Sequence, residues 1–226
     1  MAQIGYGYGS EWHLLRFLGH HRERLEDEIR KQLKLGECKF KWLDFDFADR
    51  KDVISGDQEL KGLDFLGKKG CFPEYPLRWN QSWDAVVYIN DTLYLVEAKA
   101  HVTELGDKSS HGGTSRQAIL EFMSQQMAKY GCHVTVEEST WLGEYYQMAN
   151  RLATAAYLNN KGYSTKVLYI YFENGFYTND SNNCDATKEE FQMAISKEKE
   201  TLGINNDSKI NEELLCEVFI DATGKK

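Results

Sequence analysis

Asp84, Glu97 and Lys99 are the residues of this sequence whose types and spacing could do chemistry together. They lie in residues 83–99, WDAVVYINDTLYLVEAK, where two apolar, β-branched runs flank Asn90-Asp91. Asn and Asp tolerate positive φ, so this pair suits a two-residue hairpin loop. With that loop Ile89 pairs with Thr92, and Asp84 stands directly opposite Glu97. Cross-strand partners share a face, with Cβ atoms about 4.5–5.5 Å apart. Lys99, two residues beyond Glu97, projects from the same face. Two carboxylates and an ammonium are thus expected at one end of an apolar hairpin.

Two neighbouring carboxylates repel, and in a low-dielectric setting one of them has its pKa raised. A divalent cation removes that conflict, and hard oxygen donors suit Mg²⁺ or Mn²⁺. Such an ion lowers the pKa of a bound water and bridges a phosphate, as phosphodiester hydrolysis requires. Lys99 could orient that water or neutralise charge on the phosphoryl oxygens. The competing reading is an Asp–Lys–Glu ion-pair cluster at a sheet edge, without metal. Among apolar flanks such a cluster gains little net stability.

The elements that must position these residues can be read on either side. Ser10 is a candidate N-cap, and Leu14, Leu18, Leu25, Ile29 and Leu33 recur at helical spacing, predicting one helix over 10–34. Residues 38–47 alternate aromatic and charged side chains as a half-buried strand does. Residues 48–81 hold Gly and both prolines and read as connecting structure with a further short strand. Residues 102–140 are polar, with one amphipathic helix near 115–130, and read as an insertion. A helix over 141–160, a strand over 165–172, a charged helix over 187–201 and a strand over 214–221 follow. Helices alternating with strands indicate an α/β layered architecture in a single domain over 1–226.

Asp84, twelve residues, then Glu97-Ala98-Lys99 resembles the PD-(D/E)xK nuclease superfamily, the restriction-endonuclease-like fold. That family's core order is αβββαβ, a mixed central sheet flanked by helices. The elements expected here follow it over about 10–172, with the insertion at 102–140 and a C-terminal helix–strand extension over 173–226. The resemblance implies a deoxyribonuclease dependent on Mg²⁺ or Mn²⁺. It makes Asp84, Glu97 and the Ala98 carbonyl metal ligands and Lys99 the catalytic lysine. Glu11 matches the family's helix-borne acid, also catalytic and metal-binding, since 11, 14/15 and 18 share one helical face. Its competing role is a first-turn Glu favoured by the helix dipole. Trp83 stands where the family's Pro often precedes the first acid.

A Gln-x-x-x-Tyr occurs as Gln126 to Tyr130, but inside the apparent insertion, where ordinary helix surface is the better reading. Within 141–160, Gln147 and Arg151 share one helical side and are candidate phosphate contacts. His101 continues the Lys99 face and is a third candidate. An inactive nuclease-fold protein that binds nucleic acid or a protein partner is the alternative. A hydrolase of small phosphorylated substrates is weaker, because no Gly-rich phosphate loop occurs.

Composition sets the outer bounds. The 226 residues carry 27 Lys+Arg against 35 Asp+Glu, a formal charge of −8, and 13% are aromatic, which excludes a disordered chain. No apolar run approaches a membrane span, so the expected location is cytoplasmic. The five cysteines form no CxxC pair and read as reduced small hydrophobes. The charge is unevenly distributed. Residues 185–226 contribute −4 (6 Lys against 10 Asp+Glu), whereas 30–41 carry five Lys/Arg against Glu37 alone. A local basic surface could therefore track DNA phosphates. The resemblance also leaves a homodimer open.

Overall fold

The hairpin organises the molecule. In the computed structural model, which describes residues 9–43, 60–66, 81–106, 116–132, 140–175 and 186–223, Asn90 alone of the two loop residues takes a positive φ, +52°. It joins β4 (Ala85–Ile89) to β5 (Thr92–Lys99). The register runs from Ile89↔Thr92 to Ala85↔Val96, as the loop dictates. The Asn90 side chain also accepts from the Lys39 N–H, tying the loop to β1 (Phe40–Trp42), which pairs antiparallel with β4. On the other side of β5, β6 (Thr165–Glu173) and β7 (Leu215–Asp221) continue the sheet in parallel. The mixed five-stranded sheet has the order β1-β4-β5-β6-β7.

Parallel neighbours need crossovers, and helices supply them. Between β5 and β6 lie α3 (Arg116–Ala128) and α4 (Tyr146–Asn160), and between β6 and β7 lies α5 (Lys188–Thr201), whose N-terminus carries a Thr187/Glu190 capping box. Strand alternation divides the sheet into two faces. One, with Val86, Leu95, Tyr169 and Tyr171, packs under α3, α4 and α5. The other, with Val87, Val96, Ile170 and Phe172, packs against α1 (Ser10–His20) and α2 (Arg22–Gln32). The result is a sheet with helices on both sides, an α/β architecture.

Several expectations are corrected. The helix over 10–34 is two helices, because the chain leaves helical geometry at His21 (φ −129°, ψ 30°). The two segments thereby keep Leu14, Phe17, Leu25 and Ile29 all buried. The strand expected over 38–47 spans only Phe40–Trp42 among the described residues, and 44–47 lie outside them. The short strand expected within 48–81 is β2 (Leu60–Lys61), which pairs with β3 (Ser82–Trp83) in a separate two-stranded sheet. The helix of the expected insertion is part of the core: Ile119, Leu120, Met123 and Met127 are buried with α4. In the helix expected over 141–160 the chain breaks at Gly143, and α4 proper starts at Tyr146. Cys38, Cys132 and Cys216 are free thiols; Cys71 and Cys184 lie outside the described residues, as do Lys68, Lys69 and Arg78. No helix among the described residues is long and apolar enough to cross a membrane.

At the β7 edge, side chains occupy outward main-chain groups. The Gln32 amide donates to the Phe219 carbonyl (2.7 Å) and accepts from its N–H (2.9 Å). Arg24 donates to the Asp221 carbonyl and Arg16 to that of Ala222.

Candidate active site

Asp84 sits where the chain bends from the small sheet into β4. The ladder of β4 and β5 ends at Ala85–Val96, and there the Asp84 carboxylate takes over, accepting the Ala98 N–H at 2.7 Å. The side chain stands in for the main-chain carbonyl that a continuing β4 would have offered. N–H and C=O of one strand residue point to the same side, so the Ala98 carbonyl is turned toward Asp84 as well. The bend was not visible in sequence, since it depends on β3 leaving to pair with β2.

One residue before Ala98, Glu97 is surrounded by cations. Its Oε1 accepts from Lys99 Nζ at 2.8 Å and its Oε2 from Arg151 Nε at 3.0 Å. The three side chains are nearly inaccessible, 3%, 7% and 8% exposed. Lys99 also donates to Gln147 Oε1 at 2.6 Å. Arg151 donates to the Ser82 carbonyl at 2.7 Å and lies over the Trp83 ring, 4.6 Å from its centroid. Gln147 and Arg151 are therefore partners of the motif residues, one helical turn apart on α4, and Arg151 is buried.

The electrostatics follow from this packing. Burial pushes the Glu97 carboxyl up, but Lys99 and Arg151 together outweigh it and hold it below the ordinary value. Burial pushes Lys99 down, against Glu97, Asp84 and Glu104, whose charges leave it raised. Arg151 is likewise raised, chiefly by Glu97 against its own burial. Glu104 is raised by burial, against Lys99 and hydrogen bonds from the Ser10 side chain and the main chain at Ala100.

Ser10 and Glu11 open α1, which places Glu11, buried, at the end of the molecule that also holds Glu104. His101 is turned to Thr103: its Nδ1 accepts the Thr103 N–H and lies 2.8 Å from Oγ1, capping a short helical turn. Gln126 accepts from Asn160, and Tyr130 is buried in the core, so this pair serves packing. His111 and His133 lie outside the described residues.

Three polar groups near the site had no motif to announce them. Glu104 is five residues past Lys99. Gln81 is buried and bonded to Asn150 and Thr154 of α4. The i, i+4 pairing of Asn150 and Thr154 on an otherwise apolar helix was the available signal for that contact. Glu198, on α5, feels the Lys99 charge and looked in sequence like one acid of a solvated helix.

As donors for a metal, Asp84, Glu97 and the Ala98 carbonyl are right in kind for a hard divalent cation. Among the described residues no group of three or more His, Cys, Asp or Glu is arranged to hold one. Each Glu97 oxygen accepts from one cation, Lys99 or Arg151, and keeps a second lone pair. The residues therefore fit an ion in kind, though Lys99 and Arg151 would oppose its charge.

No family model matches the chain, and neither a curated protein nor a solved structure is detectably similar to it.

Proposed function

We propose that this protein is a metal-dependent phosphodiester hydrolase acting on DNA, with a restriction-endonuclease-like core. The observation that carries the reading is the hairpin register, which brings Asp84 to Ala98 and sets Glu97 beside Lys99 at one end of β5. The order helix, strand, antiparallel hairpin, helix, parallel strand supports it, being that of the αβββαβ core. Asp84, Glu97 and the Ala98 carbonyl would hold Mg²⁺ or Mn²⁺, with Glu11 at the same end of the molecule. A bound ion supplies a water of lowered pKa and offsets charge on the phosphoryl group.

The chain's own residues do the rest. Lys99, oriented by Glu97 and Gln147, presents an ammonium to the attacking water or to a phosphoryl oxygen. Arg151 fixes Glu97 from the other side and joins α4 to β3. Trp83 under the guanidinium and the apolar strands behind it exclude bulk water, which strengthens every charge interaction in the site.

The test is Mn²⁺-supported cleavage of linear, circular, single-stranded and branched DNA by wild type and Lys99→Ala, with folding checked by circular dichroism. Cleavage by wild type and its loss in a folded Lys99→Ala protein is expected. Equal cleavage by both, or none by either, defeats the proposal.

A second reading is a nuclease-fold protein that hydrolyses nothing and binds nucleic acid or a protein partner. The double pairing of Glu97 favours it, because a carboxylate neutralised by two cations has no need of a metal. Calorimetric titration with Mn²⁺ separates the two: heat that Asp84→Ala abolishes supports the hydrolase, and no heat supports the binder.

A further inference from the structure

Among the described residues seven buried side-chain polar atoms have no hydrogen-bond partner; three are on His13 and Arg16 of α1, and the other four are Tyr169 Oη, Tyr171 Oη, Glu198 Oε2 and Glu217 Oε1. These four come from β6, α5 and β7. Parallel register sets Tyr169 between Glu97 and Glu217, and Tyr171 between Lys99 and Phe219. The tyrosines and Glu217 therefore rise from the sheet face that carries Glu97 and Lys99, the face α5 covers. Tyr169, Tyr171 and Glu198 are at most 1% exposed. Their rings are held by packing: Tyr169 stacks on Tyr171 at 5.8 Å, and Tyr171 meets Phe191 and Phe219 at 5.1 Å each. Glu198 acts on both tyrosines electrostatically.

A buried polar atom without a partner loses its bonds to water and gains none in return. Four drawn together from three neighbouring elements call for a common explanation, since buried polar side-chain atoms in native proteins are nearly always partnered by protein or ordered water. Their chemistry names the occupant. Each hydroxyl both donates and accepts, the Glu217 carboxylate accepts, and the Glu198 carboxyl accepts and, while it holds its proton, also donates, which matches the two to four polar partners that a buried water takes. A metal cation suits the place poorly, because Lys99 and Lys199 border the same carboxylates. An apolar ligand would leave all four atoms unmet.

We propose that Tyr169, Tyr171, Glu198 and Glu217 line an internal hydrated site behind Lys99, where ordered water bridges the two hydroxyls to the two carboxyl groups. The site is independent of whether the protein cleaves DNA. It gives the sheet face under α5 a polar interior that joins the core to the charged end of β5.

Thermal unfolding of the full chain as Tyr169→Phe and as Tyr171→Phe tests it. Each substitution deprives the water of a partner, so each lowers Tm by about 2–5 °C. A dry interior gives the opposite sign, because removing an unmet hydroxyl relieves its cost. An unchanged or raised Tm in both variants overturns the proposal. A high-resolution crystal structure decides independently. Water within hydrogen-bond distance of two or more of the four atoms supports it, and direct pairing of the hydroxyls with the carboxylates, without water, overturns it.

Discussion

Replacing Glu97 by Gln tests the charge arrangement most directly. The change preserves size and shape and removes one charge. Wild-type Glu97 offers an oxygen to each cation, at 2.8 Å to Lys99 and 3.0 Å to Arg151. An amide offers one oxygen and one NH₂, so it can accept from only one of them, and the other faces a donor. With side chains 7% and 8% exposed, Lys99 and Arg151 cannot recover their loss from water. Breaking a buried ion pair by removing one partner costs about 3–5 kcal/mol. For a chain of this length that is a Tm loss of roughly 6–20 °C. Urea unfolding at pH 7 measures it. The triple variant Glu97→Met, Lys99→Met, Arg151→Met removes the charges together and is expected to regain most of the stability. A Glu97→Gln protein within about 1 kcal/mol of wild type would refute the reasoning, because the pairs would then be solvated and individually weak. The experiment also guards the functional assay, in which lost cleavage by Glu97→Gln must be separated from lost folding.

Two further outcomes follow from the same structure. Burial lifts Glu198 to about 8, with Lys99 and Lys199 opposing it and Glu217 and Glu144 adding to it, beside Tyr169 and Tyr171. Between its ordinary 4.5 and that value the native state keeps a proton that the unfolded chain releases, so stability falls as pH rises across this window. Glu198→Gln has no such proton, and its advantage over wild type should grow by about 2–4 kcal/mol from pH 5 to pH 8; a pH-independent difference in urea unfolding contradicts this. Asp84→Ala removes the acceptor of the Ala98 N–H and should cost about 1–2 kcal/mol, with faster hydrogen exchange at that amide. Asp84→Asn keeps an acceptor oxygen and should restore protection of Ala98, and protection equal to that of Asp84→Ala would refute the capping role.

What could be read from the sequence was local. The hairpin register follows from two β-branched runs and a loop that tolerates positive φ, and the structure reproduces it from Ile89–Thr92 to Ala85–Val96, while Asp84, expected opposite Glu97, leaves the ladder and bonds to the Ala98 N–H instead. The α4 face of Gln147 and Arg151 was visible from helical periodicity, though not that it turns inward onto Glu97. What stayed hidden depends on distant partners. The bend at Asp84 needs β2, more than twenty residues upstream, to draw Trp83 away, with the indole N–H bonded to the Gly62 carbonyl. The helix 116–128 reads as an amphipathic helix of an insertion, and its place in the core shows only in the fold, where α4, buried nearly all round, packs against it on one side and against β6 on the other. Glu198 looks like a surface acid in a run of Lys and Glu, and only the placement of α5 over Tyr169 and Tyr171 buries it. The break at His21 has no proline to mark it, and helical hydrogen bonds continue on both sides.

The Gln32 amide on Phe219 bears on assembly. An exposed strand edge invites a second sheet to add to it, and many chains associate in that way. Here one side-chain amide imitates an incoming strand, filling a donor and an acceptor of β7 at once, and the arginines of α1 and α2 occupy the carbonyls beyond. A second copy seeking this edge would first have to displace contacts that tie α1 and α2 to the sheet. Self-association by strand addition at β7 is thus opposed by the same residues that hold the helical layer in place.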